Sequence, residues 1–297
     1  MPLVRVPATT ANLGPGFDTL GMALELFDEI QIELAPALEI SVSGEGAATI
    51  PRGPENIAYR AAQAVFERAG RLPGNLKIAM YNHIPVARGL GSSAAALVGG
   101  LVGANALLGG VLKQEDLINL ATALEGHPDN VAPAILGGLV VAARDGERVY
   151  CRRLEPPAGL TTVAAIPQFT LSTRVSRGAL PARVTMSDAV FNLSRVGLLL
   201  AAVQDGDLEL MGKMMDDRLH QPYRLSLVPG MEEVFAAARA AGALAVTLSG
   251  SGPTVIAFCQ GRNPCVGPAM AAAFARHGVA CIVKELAPCS RGAVVLE

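Results

Sequence analysis

Charge is scarce in this chain: 17% of its 297 residues are Asp, Glu, Lys or Arg, while 51% are hydrophobic. That balance excludes an intrinsically disordered chain, which needs low hydrophobicity and high net charge. Neither sign dominates. With 24 basic and 26 acidic residues and a net charge of -2, a basic face tracking a nucleic-acid backbone is not expected. Lysine is rarer still, limited to Lys77, Lys113, Lys213 and Lys284, so anion binding here must lean on arginine forks and backbone N–H groups. The cysteines Cys151, Cys259, Cys265, Cys281 and Cys289 form no Cys-x-x-Cys pair, which removes the usual zinc and redox spacings. Sparse, odd-numbered thiols fit a reducing cytoplasm, and Met1 to Pro7 lacks the layout of a signal peptide. There is no internal repeat, and no Gly-x-Ser-x-Gly nucleophile elbow.

What is present is enough chain for two cores. Leu3 to Pro7 reads as a short strand, followed by a turn-rich segment from Ala8 to Gly21. Glu29 to Leu34 and Leu38 to Val42 alternate apolar and polar residues and suggest antiparallel pairing. Ile57, Ala58, Ala61, Ala62, Val65 and Phe66 then form one helical stripe, with Asn56 at its mouth. Leu76 to Ile84 returns to alternation and Gln114 to Gly126 to helix, and a hairpin turns at Asp145-Gly146. Pro156-Pro157 is the natural boundary, giving domains 1–157 and 158–297. Beyond it, strand-like segments at Thr161 to Ile166, Ala243 to Leu248, Thr254 to Cys259 and Val279 to Glu285 mix with helical ones at Met186 to Val203, Met231 to Ala241 and Gly267 to Arg276. No regular βαβα order appears, so the expected class is α+β.

The uncharged run from Gly89 to Leu112 has the length of a membrane span and holds Gly99-x-x-x-Gly103. Seven glycines in that run argue instead for a buried helix behind a glycine loop, so no membrane is expected.

Gly89-Leu90-Gly91-Ser92-Ser93, between a strand and that helix, is a physical anion trap, because the first turn of a helix presents unpaired N–H groups. No lysine follows it as in a Walker loop, and the third glycine of the dinucleotide fingerprint is missing. A tight turn explains a bare Gly-x-Gly equally well. Asn12 and Asp18 stand six residues apart across Gly14 and Gly16, either lining one cavity or forming an Asx turn with Asp18 as a cap. Glu125 closes a helix, where an anion faces the negative dipole end and asks for a cation; an ordinary solvated Glu is the alternative. Arg174, Arg177 and Arg224 fall in polar, loop-like contexts, and two of them converging would hold a carboxylate.

Three segments together, Pro7 to Leu20, Pro85 to Ala96 and Ala245 to Phe258, resemble the galacto-, homoserine, mevalonate and phosphomevalonate (GHMP) kinase superfamily. Glu125 to Pro133 (EGHPDNVAP) and Leu171 to Pro181 (LSTRVSRGALP), with Arg224, are similar to its homoserine branch. The resemblance implies an amino-terminal domain like domain 2 of ribosomal protein S5 and a ferredoxin-like carboxy-terminal domain, with the site between them. It implies ATP and Mg²⁺, the triphosphate wrapped by Pro85, Val86, Ala87, Arg88, Gly89, Leu90, Gly91, Ser92, Ser93, Ala94 and Ala95, and the adenine approached by Asn56. Ser93 and Glu125 would hold the metal, and Gly250, Ser251 and Gly252 would close the floor. Asp18 would meet the ammonium of L-homoserine and Arg177 with Arg224 its carboxylate, Arg174 competing with Arg177. Asn12, His127, Asn130 and Thr173 would surround the reacting hydroxyl. Where mevalonate-like members place an Asp base, this chain has Asn130, a neutral amide. A sister kinase for a mevalonate-type alcohol and a silent ligand sensor stay open as alternatives, and a homodimer is an expected assembly.

Overall fold

The fold comes from a computed structural model that describes residues 1–72 and 74–296. The strands are β1 (Leu3–Ala11), β2 (Leu20–Leu34), β3 (Glu39–Gly44), β4 (Leu76–Asn82), β5 (Leu139–Asp145), β6 (Arg148–Leu154), β7 (Leu160–Pro167), β8 (Ala245–Leu248), β9 (Val255–Gln260), β10 (Cys281–Leu286) and β11 (Val294–Leu296). The helices are α1 (Ile57–Arg68), α2 (Ser92–Leu107), α3 (Gln114–Glu125), α4 (Pro128–Leu136), α5 (Thr173–Gly178), α6 (Met186–Asp205), α7 (Leu208–Lys213), α8 (Gln221–Arg224), α9 (Met231–Ala240) and α10 (Val266–Arg276).

The first sheet runs β11-β1-β2-β4-β3, with the β5–β6 hairpin joined at the far end of β2. β1 continues to Ala11, where the turn-rich composition predicted a loop: Ala8, Thr9, Thr10 and Ala11 are buried and pair with β2. Tertiary pairing overrides their weak strand propensity. β3 pairs with β4 in parallel, not antiparallel as alternation suggested, because α1 carries the chain across between them. α2 and α4 lie against β1 and β2. α2 has no charged residue and is buried almost all round; its glycines Gly99, Gly100 and Gly103 lie close to Ile30, Ala58 and Ile32. Helix α4 escaped sequence reading, since Pro133 interrupts its pattern.

The second sheet has the order β10-β7-β9-β8 with every pair antiparallel. Numbered within this unit the order is 4-1-3-2, with α9 and α10 on one face, the ferredoxin-like arrangement that was expected. Alternation assigns its two faces: Val163, Ala165, Val246 and Ala257 pack with Met270 and Phe274, while Ala164, Ile166, Ala245 and Ile256 join the main core of the amino-terminal half. The units are therefore not cleanly divided at Pro157. β11, the last strand, returns to the first sheet and pairs with β1. Among the described residues one helix, α6, is long and apolar enough to cross a membrane.

Candidate active site

Three loops meet where the two units face each other. The backbone of Thr9 donates to Leu90 O at 3.1 Å, Gly250 donates to Ala11 O at 3.2 Å, and Thr254 donates to Arg88 O at 3.2 Å. The hydroxyl of Ser249 lies 2.6 Å from Gly89 O and 2.9 Å from Thr10 Oγ1. Among the described residues the non-glycine positions with positive φ, Asn12, Leu13, Asp18 and Ala87, all belong to these loops. Such residues sit in a disfavoured backbone region and persist only where surrounding contacts enforce it. Between the loops lies a cavity of about 370 Å³.

One end of the cavity is the start of α2. Gly91 caps that helix at φ 74 and offers no side-chain acceptor, and the first closed bond is Ala95 N to Gly91 O at 2.8 Å. The N–H groups of Ser92, Ser93 and Ala94 therefore have no intrahelical partner. A side chain at residue 91 is excluded, since a Cβ there would stand 2.1 Å from Thr9 Oγ1. Of the loop residues the resemblance names, Val86, Ala87, Arg88, Gly89, Gly91, Ser92 and Ser93 line the cavity, while Pro85, Leu90, Ala94 and Ala95 are buried behind it. Arg88 does not aim its guanidinium at an anion: it donates to the carbonyls of Pro167 and Gln168 and so pins the loop to the second sheet. Asn56 is fully buried and off the cavity wall. Its carbonyl oxygen caps α1 through the N–H groups of Ala58 and Tyr59, and its amide donates to Pro51 O. The wall in front of it is Ile50, Pro51, Glu55, Ile57 and Met80.

The opposite wall carries the charges. Arg177 and Asp18 form a bidentate pair, Nη2 to Oδ1 at 2.6 Å and Nη1 to Oδ2 at 3.0 Å. The Asp18 carboxylate beside it holds the Arg177 pKa above its ordinary value, although burial opposes the charge. Arg224 is 2% exposed yet reaches the cavity; burial first, then the charge of Arg177, pushes its pKa down to about 10, so it stays charged at neutral pH. The Phe17 ring carries both guanidinium groups within 5.5 Å of its centroid. Arg177 and Arg224 occupy the short helices α5 and α8, where composition suggested loops. Arg174 is exposed and does not line the cavity.

Between the two ends stand Asn12, His127, Asn130 and Thr173. Asn12 accepts from Asp18 N and donates to Gly250 O, and Asn130 accepts from Thr9 Oγ1 at 2.9 Å. The Thr173 hydroxyl lies 3.5 Å from Ser251 Oγ. Gly250 and Ser251 form part of the floor, whereas Gly252 lies outside it. Glu125, the last residue of α3, accepts from Ser93 Oγ at 3.4 Å. Burial raises its pKa against the pull of His127 and Ser93.

Sequence reading missed Asp129. It is 3% exposed, lines the cavity and meets His127 Nδ1 at 2.5 Å. Burial opposes the imidazolium of His127, but the Asp129 bond, with the charges of Asp129, Asp18 and Glu125, outweighs it and raises the pKa. The available signal was an acid in the first turn of a helix opened by Pro128.

The family described as GHMP kinases N terminal domain matches residues 56–138, and GHMP kinases C terminal matches residues 199–277. The chain is 76% identical to a homoserine kinase of Moorella thermoacetica over the full length of both, and 49% identical to one of Carboxydothermus hydrogenoformans over all of this chain and 97% of that one. Among solved structures it is similar to a homoserine kinase from Cytophaga hutchinsonii, with a TM-score of 0.90 and 31% identity, over 99% of this chain and 97% of that chain. Two matching domains, full-length relatives at high identity and a site built at the seam of the two sheets agree: the chain belongs to the GHMP kinases, in their homoserine kinase branch.

Proposed function

We propose that this chain is an ATP-dependent kinase that phosphorylates the side-chain hydroxyl of L-homoserine to O-phospho-L-homoserine, a step of threonine biosynthesis. The observation that carries the substrate is the charge pattern of one wall, a carboxylate, Asp18, facing Arg177 with Arg224 beside it. That set is the complement of an amino-acid zwitterion. On substrate entry the Asp18–Arg177 pair is exchanged for an Asp18–ammonium and an arginine–carboxylate pair, so each charge keeps a partner. A mevalonate-type alcohol brings a carboxylate without an ammonium and leaves Asp18 uncompensated.

The residues present fit a triphosphate and a divalent cation. The unpaired N–H groups of Ser92, Ser93 and Ala94, at the positive end of α2, suit phosphate oxygens without a loop lysine. Glu125 is a carboxylate raised by burial whose hydrogen-bond partner is the Ser93 hydroxyl, an oxygen donor set that suits Mg²⁺. Ser93 and Glu125 would hold that ion, which supplies charge neutralisation at the phosphates. The apolar wall of Ile50, Ile57 and Met80 suits the base of the nucleotide, with Asn56 bracing it from behind.

Asn12, His127, Asn130 and Thr173 orient the hydroxyl. Asn130 is neutral and cannot accept its proton, but phosphoryl transfer through a loose transition state depends mainly on positioning and charge stabilisation. The proton leaves to the transferred phosphate or to water. In this reading residues 1–157 with β11 bind the nucleotide, and the rest of residues 158–297 complete the substrate site. The enzyme acts in the cytoplasm as a homodimer, with no nucleic acid and no membrane. Helix α6 fits that picture because it carries Asp188 and Arg195 and buries Asn192, which donates to Pro15 O and Asp217 Oδ1.

A coupled ADP-release assay with MgATP tests the proposal, comparing L-homoserine with mevalonate, L-threonine and L-serine. Turnover of homoserine far above the others is expected. Preference for mevalonate would discard the zwitterion argument, and ATP binding without any turnover would favour a sensor.

A further inference from the structure

Behind Arg224 stands a histidine to which the reaction assigns no part. His220 precedes α8 and is fully buried. Its Nε2 lies 2.8 Å from Gly14 O, and its Nδ1 lies 3.1 Å from Nη1 of Arg224. A carbonyl only accepts and a guanidinium only donates, so the ring carries its hydrogen on Nε2 and a lone pair on Nδ1. One neutral tautomer satisfies both contacts; an imidazolium loses the bond to Arg224 and sets two cations side by side. Phe17 stacks on the imidazole with ring centroids 5.3 Å apart.

The remaining partners of Arg224 make this contact decisive for its aim. Nε donates to Ser176 O at 3.3 Å, and Nη1 divides its hydrogens between Gly250 O at 3.1 Å and His220 Nδ1. Nη2 is left for the cavity. Gly14 belongs to the loop that carries Asp18, so His220 ties the arginine on α8 to the loop that holds the opposite charge. The charged groups around the imidazole are Asp217, whose Oδ2 is 3.4 Å from Nε2, Arg224, Asp18 in the same loop as Gly14, and Arg177 on α5 against the Phe17 ring. Burial, aided by Arg224 and opposed by Asp217, lowers the histidine pKa below its ordinary value and keeps the ring neutral at pH 7.

We infer that His220, as the neutral Nε2–H tautomer, is a positioning residue that aims Arg224 at the substrate carboxylate and locks it to the Asp18 loop. This rests on the assignment of Arg224 to the carboxylate of homoserine. Its consequence is that homoserine binding, and not nucleotide binding, depends on the acceptor that holds Nη1.

Steady-state kinetics of the full chain with MgATP at about pH 7.5, where the imidazole is neutral, test it. His220→Gln retains a donor for Gly14 O but places no acceptor at the Nδ1 position, and raises KM for homoserine about tenfold or more with KM for MgATP unchanged, as expected for a lost hydrogen bond to a charged group. His220→Asn can present its carbonyl oxygen to Nη1, and it recovers most of the affinity for homoserine. A His220→Gln variant with unchanged KM for homoserine, or with KM for homoserine and for MgATP raised alike, overturns the proposal. Arg224→Ala separates the two levels. If it leaves KM for homoserine unchanged, the carboxylate assignment fails and the role of His220 fails with it; if it raises KM while His220→Gln does not, only the role of His220 fails.

Discussion

Asp28 and Ser93 illustrate what single residues do here at the level of charge. Asp28 is 1% exposed on β2, and its Oδ1 accepts from the N–H groups of His83 and Ile84, where the chain turns into the glycine loop. Burial raises its pKa from 3.8 to about 6 in spite of those bonds. The folded state therefore holds this proton more tightly than the unfolded chain, and its contribution to stability falls as pH rises from about 4 to about 6, then stays level. Asp28→Asn keeps a carbonyl acceptor and removes the charge. Chemical denaturation should find the variant more stable above pH 6 by roughly 1–3 kcal/mol, with the difference gone near pH 4; a constant difference at all pH values would contradict the argument. For Ser93, the prediction concerns rate. Ser93→Ala removes the hydroxyl that meets Glu125 at 3.4 Å and should lower kcat on the order of 10²-fold, with a higher Mg²⁺ requirement; an unaltered rate and Mg²⁺ titration would remove Ser93 from the metal site.

Elements explain why these residues stand where they do. α2 both opens on the cavity and serves as a core helix, and its glycine face brings it against α1: a Cβ at Gly100 would lie 2.2 Å from Ala58 O, a backbone atom that cannot yield cheaply. Gly100→Ala should lower stability by about 2 kcal/mol, even after the ~1 kcal/mol that alanine gains in helix propensity, and a thermal melt reads the change. A melt at or above that of the parent would mean α1 moves aside. Several elements were legible in the sequence. The amphipathic stripes of α1 and α3, the hairpin of β5 and β6, and the strand, glycine loop and helix order around Gly89 all rest on local periodicity and turn chemistry. Of the pieces that were not legible, α4, α5 and α8 are short or carry proline and lie at the seam between the units. They bear Asp129, Asn130, Thr173, Arg177 and Arg224.

For the molecule as a whole, the two sheets meet in one core, while the helix-covered face of the second sheet packs a core of its own. The alternate residues Ala164, Ile166, Ala245 and Ile256 of the second sheet pack into the hydrophobic cluster of the first half, and β11 runs back to cover the edge of β1. A chain ending at Ala293 loses the pairing of Leu3, Val4 and Arg5 with that strand and should melt several degrees lower, from about 2 kcal/mol of lost backbone bonds and packing. Its KM for homoserine should not change, since no residue of β11 lines the cavity; a shifted KM would show that the strand reaches the site through β1.

By itself the sequence determined the class, α+β with two units, and the order of strand, glycine loop and helix around Gly89, because periodicity and glycine placement are local properties of the chain. It also named Asp18, Arg177 and Arg224 through a resemblance. Only the tertiary structure decided that Arg174 stands outside the cavity while Arg177 pairs with Asp18, that Asn56 is occupied in capping a helix, that Asp129 lines the cavity against His127, and that His220 stands behind Arg224. Those outcomes depend on which side chains from distant segments converge and which remain unpaired once neighbouring donors and acceptors are satisfied, and no spacing along a single segment records that.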